Sequence, residues 1–184
     1  DVYFYTIGGG HKGQRGLGIA GIEKYMHTFG FNTETGVELP GETTGVIPNP
    51  EWKKEMFEGE EWVLGNTYHT AIGQFGTLVT PIEMARAVAA IANGGTLLKP
   101  ELLKDAMGAD TEKLSMKAEN FTVVQEGMRQ AVERGTAQAL SFPSVAVAAK
   151  TGTAQTGAKN ELTNSWVIGF FPFEAPRYAF AVVL

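Results

Sequence analysis

Lys150, Thr151, Gly152 and Thr153 follow the small apolar run Val145–Ala149 and precede Ala154, Gln155, Thr156 and Gly157. A cation, two hydroxyls and a glycine at the edge of a strand suit the capture of a carboxylate. Lys150 supplies charge, Thr151 and Thr153 donate from their hydroxyls, and Gly152 lets a ligand backbone come close. A Lys-Thr-Gly tripeptide also recurs in solvated loops, so its meaning rests on its surroundings. Other candidates are weaker. His11, His27 and His69 stand in separate segments without metal-ligand spacing and read as solvated or hydrogen-bonded side chains. Gly8, Gly10 and Gly13, and again Gly16, Gly18 and Gly21, match the dinucleotide fingerprint, with Glu34 and Glu38 at roughly the expected distance. A chain with 23 glycines produces such spacings by chance. No strand follows the helix expected at Ile19–Phe29 to complete a βαβ unit, so no cofactor is expected.

The whole chain bounds these readings. Its 184 residues, 43% hydrophobic and 19% charged, suit one globular domain with a sizeable core. A net charge of -5 lacks the basic footprint of a nucleic-acid binder. The absence of cysteine removes disulfides and thiolate metal sites, and no metal site is expected. No apolar run approaches the ~18 residues of a membrane span, and no signal peptide opens the chain, which suits a soluble segment. Asp1 leads straight into the apolar Val2–Tyr5, and the last residues, Tyr178–Leu184, read as a strand. Loose ends are usually polar, so the chain is expected to be part of a longer protein.

The elements that must position the Lys-Thr-Gly segment are legible in outline. Residues 1–7 fit a helix turn or a strand equally. Gly8–Gly18, with Lys12 and Arg15, reads as a loop. Ile19, Ile22, Tyr25, Met26 and Phe29 have helical spacing, stopped by Gly30. A turn-rich connection spans Thr33–Pro48. Asn49, Pro50 and Glu51 then form a cap, a first-position proline and an early acid for a helix through Met56. Thr80 and Glu83 make a capping box around Pro81, opening a helix that Asn93, Gly94 and Gly95 end. A further helix is expected over Ala118–Arg134, with Phe121, Val124, Met128, Ala131 and Val132 inward. Strands are expected at Val145–Lys150, Ser165–Phe171 and Tyr178–Leu184, the last two flanking a hairpin connection at Pro172–Pro176. Helices first and antiparallel strands last predict an α+β fold with helices packed on an antiparallel sheet.

With these segments in view, the chain resembles class B penicillin-binding proteins, the monofunctional peptidoglycan transpeptidases. Lys150–Gln155 looks like their third motif. Asp1–Tyr5 resembles the segment entered from their Ser-x-Asn/Asp motif, in the form of elongation-type members. Phe29–Phe31, Thr35–Gly41 and Pro50–Lys53 resemble the stretch that follows. Ile72–Gln74, Val79–Ala85 and Ile91–Gly95 form a highly specific signature, and Gly135–Ala137 and Asn164–Pro172 complete it. Phe75 departs from the pattern, which often has glycine after Ile-Gly-Gln.

The resemblance implies the penicillin-binding and serine β-lactamase-like transpeptidase fold, with residues 1–184 as a partial domain. None of the four serines, Ser115, Ser141, Ser144 and Ser165, begins a Ser-x-x-Lys. The nucleophile and its activating lysine are therefore expected in an N-terminal part of the same domain, and the isolated chain is expected to be inactive. By resemblance, the parent attacks the D-Ala-D-Ala end of a stem peptide and is acylated by β-lactams. Lys150, Thr151, Gly152, Thr153 and Gln155 would bind the substrate. Lys150, Thr153 and Asp1 would serve catalysis, Thr153 through its backbone N–H and Asp1 in a proton-transfer network. The cell-wall elongation machinery is the implied partner, and a membrane anchor with an extracytoplasmic location is implied for the parent. The alternatives are a penicillin-sensing receptor or serine β-lactamase domain, which share Lys-Thr-Gly, and a scaffold in which the site is a relic. The Thr35–Pro48 and Thr80–Gly95 signatures favour the transpeptidase.

Overall fold

The computed structural model describes residues 1–103, 111–156 and 162–184. They form two compact units. The first comprises Asp1–Thr33 and Thr44–Val79, the second Glu34–Thr43 and Thr80–Leu184.

The first unit is helical: α1 Val2–Gly9, α2 Gly18–Thr28, α3 Pro50–Met56 and α4 Leu64–Thr70. The ambiguous N-terminal run is thus helix. Local propensity does not decide it; packing does, with the Tyr5 ring 5.8 Å from Tyr68 on α4. The first helix leads into a short hairpin in which His11 bridges Gln14. A helix rather than a strand precedes the glycine loop, so it cannot cradle a dinucleotide in the Rossmann manner. The start of α3 follows the sequence reading: the Asn49 side chain accepts from Trp52 N at 2.8 Å. Below it, the Lys53 ammonium is buried and donates to Glu61 O at 2.6 Å and Asn66 Oδ1 at 3.1 Å. Trp52, Phe57, Trp62 and Phe75 gather their rings within 6 Å of one another in successive contacts.

The second unit packs α5 Pro81–Ala92 and α6 Ala118–Arg134 with an antiparallel sheet of β3 Ala148–Thr156, β4 Leu162–Phe171 and β5 Tyr178–Val183, in the order β3-β4-β5. A small pair, β1 Thr96–Leu98 and β2 Thr111–Lys113, lies between the two helices in sequence. The α+β expectation holds. Thr80 caps α5 as predicted: its hydroxyl accepts from Glu83 N at 3.2 Å, and Glu83 Oε2 accepts from Thr80 N at 2.7 Å. Val88, Met128, Ala148 and Phe170 form one core cluster, and Val132, Ala137, Val147 and Ala149 form another.

Three expectations need correction. Val124 is exposed, not inward; the inward stripe of α6 runs Phe121, Gln125, Met128 and Val132. Gln125 takes that place because its amide donates to Ile91 O at 2.7 Å and Ala92 O at 3.2 Å, adding side-chain bonds to the carbonyls at the end of α5. The strand expected at Val145–Lys150 begins at Ala148 and continues to Thr156, because its polar second half pairs with β4 as far as Thr156↔Leu162. For the same reason β4 starts at Leu162 rather than Ser165.

Candidate active site

Lys150, Thr151, Gly152, Thr153 and Gln155 all lie on β3, inside the strand rather than beyond its end. Gly157 lies outside the described residues. Side chains alternate across a strand, so Thr151, Thr153 and Gln155 share one face and Lys150 and Gly152 the other. Thr151 is half-buried, and Lys150, Gly152, Thr153 and Gln155 are exposed.

Among the described residues β3 is the outer strand of its sheet, and the neighbouring ladder fixes which backbone groups it turns outward. Ser165 exchanges both backbone bonds with Leu184, at 2.9 and 3.0 Å, so its N–H and C=O point toward β5. Its partner on the other side is Thr153. That pair is therefore not hydrogen-bonded, and the Thr153 N–H and C=O point away from β4 to the open edge. Thr151 and Val147 share this phase. Two contacts agree with it: the Lys150 ammonium donates to the Thr151 carbonyl, and Arg129 Nη1 donates to Val147 O at 3.0 Å. Although Lys150 starts on the opposite face from the threonines, its ammonium curls to the same edge. A Cβ at Gly152 would meet only Trp166 Cβ at 3.6 Å, an ordinary contact. Neither the backbone nor the packing demands glycine there.

Thr151 has one further partner. Its Oγ1 lies 2.7 Å from Thr136 Oγ1, in the turn after α6. Nothing in the sequence spacing marks that pair, since 15 residues separate its members.

Asp1 belongs to the other unit. It is exposed, precedes α1, accepts there from Tyr5 N at 2.9 Å through its carbonyl, and makes no side-chain cap bond. The glycine-rich segment lines an open cleft of ≈ 520 Å³ in the same unit, together with Leu64, Thr67 and Tyr68. Tyr68 Oη donates to Gly10 O at 2.9 Å and so holds that loop against α4. His11 lies in this loop, and His27 and His69 in the last turns of α2 and α4. Among the described residues no three His, Asp or Glu side chains come together as metal ligands would.

An antiparallel sheet backed by two helices, with Lys-Thr-Gly-Thr on the outer strand, is a penicillin-binding type of fold. The sequence profile of the penicillin binding protein transpeptidase domain matches residues 3–184, and the chain belongs to that family. Its similarity runs to class B members of the PBP2 and MrdA type. Peptidoglycan D,D-transpeptidase MrdA of Acinetobacter baumannii is 31% identical over 100% of this chain and 30% of its own length. Penicillin-binding protein 2A of Bacillus subtilis is 32% identical over 89% of this chain and 25% of its own. Among solved structures, the complex between PBP2 and MreC from Helicobacter pylori superposes with a TM-score of 0.85 at 30% identity, covering 100% of this chain and 34% of that one. Pseudomonas aeruginosa PBP2 in complex with WCK 5153 gives 0.79 at 28% identity, covering 100% of this chain and 41% of that one. The chain thus spans about a third of the length of these relatives.

Proposed function

We propose that this chain forms the substrate-carboxylate side of a peptidoglycan D,D-transpeptidase site, completed by a serine nucleophile and its lysine elsewhere in the full-length protein. The observation that carries the reading is the phase of β3. One edge presents the Thr153 N–H outward, the Lys150 ammonium beside it, and the hydroxyls of Thr151 and Thr153 on one face. A stem peptide lying extended along that edge meets main-chain groups as an added strand would. Its terminal carboxylate receives charge-assisted bonds from the hydroxyls and Lys150, and Gly152 leaves room for its backbone. The Thr153 N–H, paired with that of the serine, serves as an oxyanion donor, worth about 2.7–4 kcal/mol in the transition state. Gln155 extends the rail.

The serine attacks the penultimate D-Ala carbonyl and the terminal D-Ala leaves with a proton. An amine of a neighbouring stem then takes the acyl group and regenerates the hydroxyl. β-Lactams acylate the same serine, held by the same carboxylate rail. None of the chain's serines stands in a Ser-x-x-Lys, which supports residues 1–184 as a partial domain, inactive alone. The solved complex between PBP2 and MreC from Helicobacter pylori supports a place in the elongation machinery, and we propose a membrane-anchored parent whose catalytic domain faces the cell wall. Among the described residues no helix is long and apolar enough to cross a membrane.

The test is acylation of the full-length protein by a fluorescent penicillin. Thr153→Ala slows acylation and Lys150→Ala slows it more, because charge-assisted bonds are roughly twice as strong as neutral ones. Parent-like rates for both variants would remove the assignment.

A further inference from the structure

We infer that Thr136 is a positioning residue for this site: its hydroxyl donates to Thr151 Oγ1 and thereby turns the Thr151 proton toward the bound carboxylate. The inference rests on the carboxylate-rail reading above and adds a residue to it.

The geometry starts from α6. The N–H groups of Gly135 and Ala137 both donate to Ala131 O, at 3.1 and 2.9 Å, so the turn folds back on the end of the helix. Ala137 is buried in the cluster that includes Val132, Val147 and Ala149. Thr136 sits between these two anchored residues, and its Oγ1 stands 2.7 Å from Thr151 Oγ1. The helix itself is tied to the approach of β3 by the Arg129–Val147 bond. Thr136 is therefore held at a fixed place over the face that Thr151 and Thr153 share.

The proton count gives the pair its direction. Each hydroxyl has one proton and two lone pairs. If Thr151 donates to Thr136, it has only lone pairs left, and these repel an incoming carboxylate. If Thr136 donates, the Thr151 proton is free for the ligand, and the two bonds polarise each other along one line. A carboxylate accepts and never donates, so only the second arrangement fits the bound state. Valine at 136 fills the same volume, leaves the Thr151 hydroxyl to rotate, and removes that alignment.

The experiment uses the full-length protein and measures second-order acylation rates with a penicillin and with its methyl ester. The loss of one neutral hydrogen bond predicts that Thr136→Val slows the free acid roughly two- to tenfold, with the ester rate unchanged. Thr136→Ser restores the acid rate, and Thr136→Val/Thr151→Ala is no slower than Thr151→Ala alone. Equal slowing of acid and ester by Thr136→Val would assign the residue a structural role and overturn the inference. A parent-like acid rate in Thr136→Val, with Thr151→Ala slowed, would overturn it while leaving the rail intact. Indifference to Thr151→Ala and Thr153→Ala together would remove the rail and the inference with it.

Discussion

Phe75, a residue with a bulky side chain, adopts φ +55. That left-handed conformation costs a residue with a Cβ about 1–2 kcal/mol. Against the cost stand three ring contacts, with Trp52 at 5.9 Å, Phe57 at 5.8 Å and Trp62 at 5.6 Å between centroids. At about 0.5–1.5 kcal/mol each they sum to roughly 1.5–4.5 kcal/mol, more than the backbone strain over most of that range. Two substitutions separate the terms. Phe75→Ala loses the rings and keeps the strain, and is expected to destabilise by about 2–4 kcal/mol, the ring being only half-buried. Phe75→Gly loses the same contacts but relieves the backbone, and is expected to lose about 1 kcal/mol less. Equilibrium urea unfolding followed by tryptophan emission reads both. Trp52 and Trp62 report on the cluster once Trp166, the third tryptophan, is replaced by Phe. A Gly variant no more stable than the Ala variant refutes the strain, and an Ala variant within about 0.5 kcal/mol of the parent refutes the ring contribution.

The other predictions concern the second unit. Thr80→Ala opens the capping box of α5 and should cost about 1 kcal/mol in urea unfolding. Gln125→Leu removes the side-chain donor to the Ile91 and Ala92 carbonyls and should cost about 1–3 kcal/mol, with faster amide exchange at the end of α5. Glu42 accepts from Thr35 Oγ1 at 2.6 Å, Thr35 N at 2.8 Å and Gly36 N at 3.1 Å, and these bonds, the hydroxyl's first, hold its carboxyl below the ordinary 4.5. A depressed carboxyl binds its proton more readily unfolded, so its contribution is present above pH 4.5 and is lost as pH falls through the lower folded value. An NMR titration of Glu42 should show the depression, and Glu42→Gln should remove this part of the acid sensitivity.

What could be read from the residues divides along a physical line. Asn49, Thr80 and Gly135 mark helix ends because capping is settled within three or four residues, and those helices lie where their caps put them. The α4 helix was not legible. It is seven residues long and begins after Val63, whose N–H is satisfied from inside the helix by Asn66 Oδ1 at 3.0 Å. The polar half of β3 carries no strand signal in the sequence because an outer strand has no apolar alternation to reveal it. The sequence favours Val124 over Gln125 because valine suits an inward stripe better than glutamine, and only the end of α5, 33 residues away in sequence, gives Gln125 its reason. The site followed the same division. The residue types on β3 were visible in the chain, and the Thr136 contact was not, since it depends on a tertiary approach.

The chemistry of the rail depends on register as much as on residue types. A slip of β3 by one residue along β4 would turn the Thr153 N–H inward, turn the Lys150 backbone outward, and exchange the two faces. What resists that slip is the start of β3, where Ala148 and Ala149 are fully buried against a glycine. A Cβ at Gly169 would come within 2.4 Å of Ala148 O and 2.7 Å of Phe180 Cζ. Gly169 pairs with Ala149 on one side and Phe180 on the other. A one-residue slip of β3 would carry Lys150 or Ala148 into the place Ala149 holds opposite Gly169. In one direction the charged Lys150 would enter the cluster of Val132, Ala137 and Val147, and in the other Val147 would replace the fully buried Ala148 opposite Phe170. The carboxylate-facing edge is thus set from the interior. Two buried alanines just before Lys150, with no part in binding, decide which way the Thr153 N–H points.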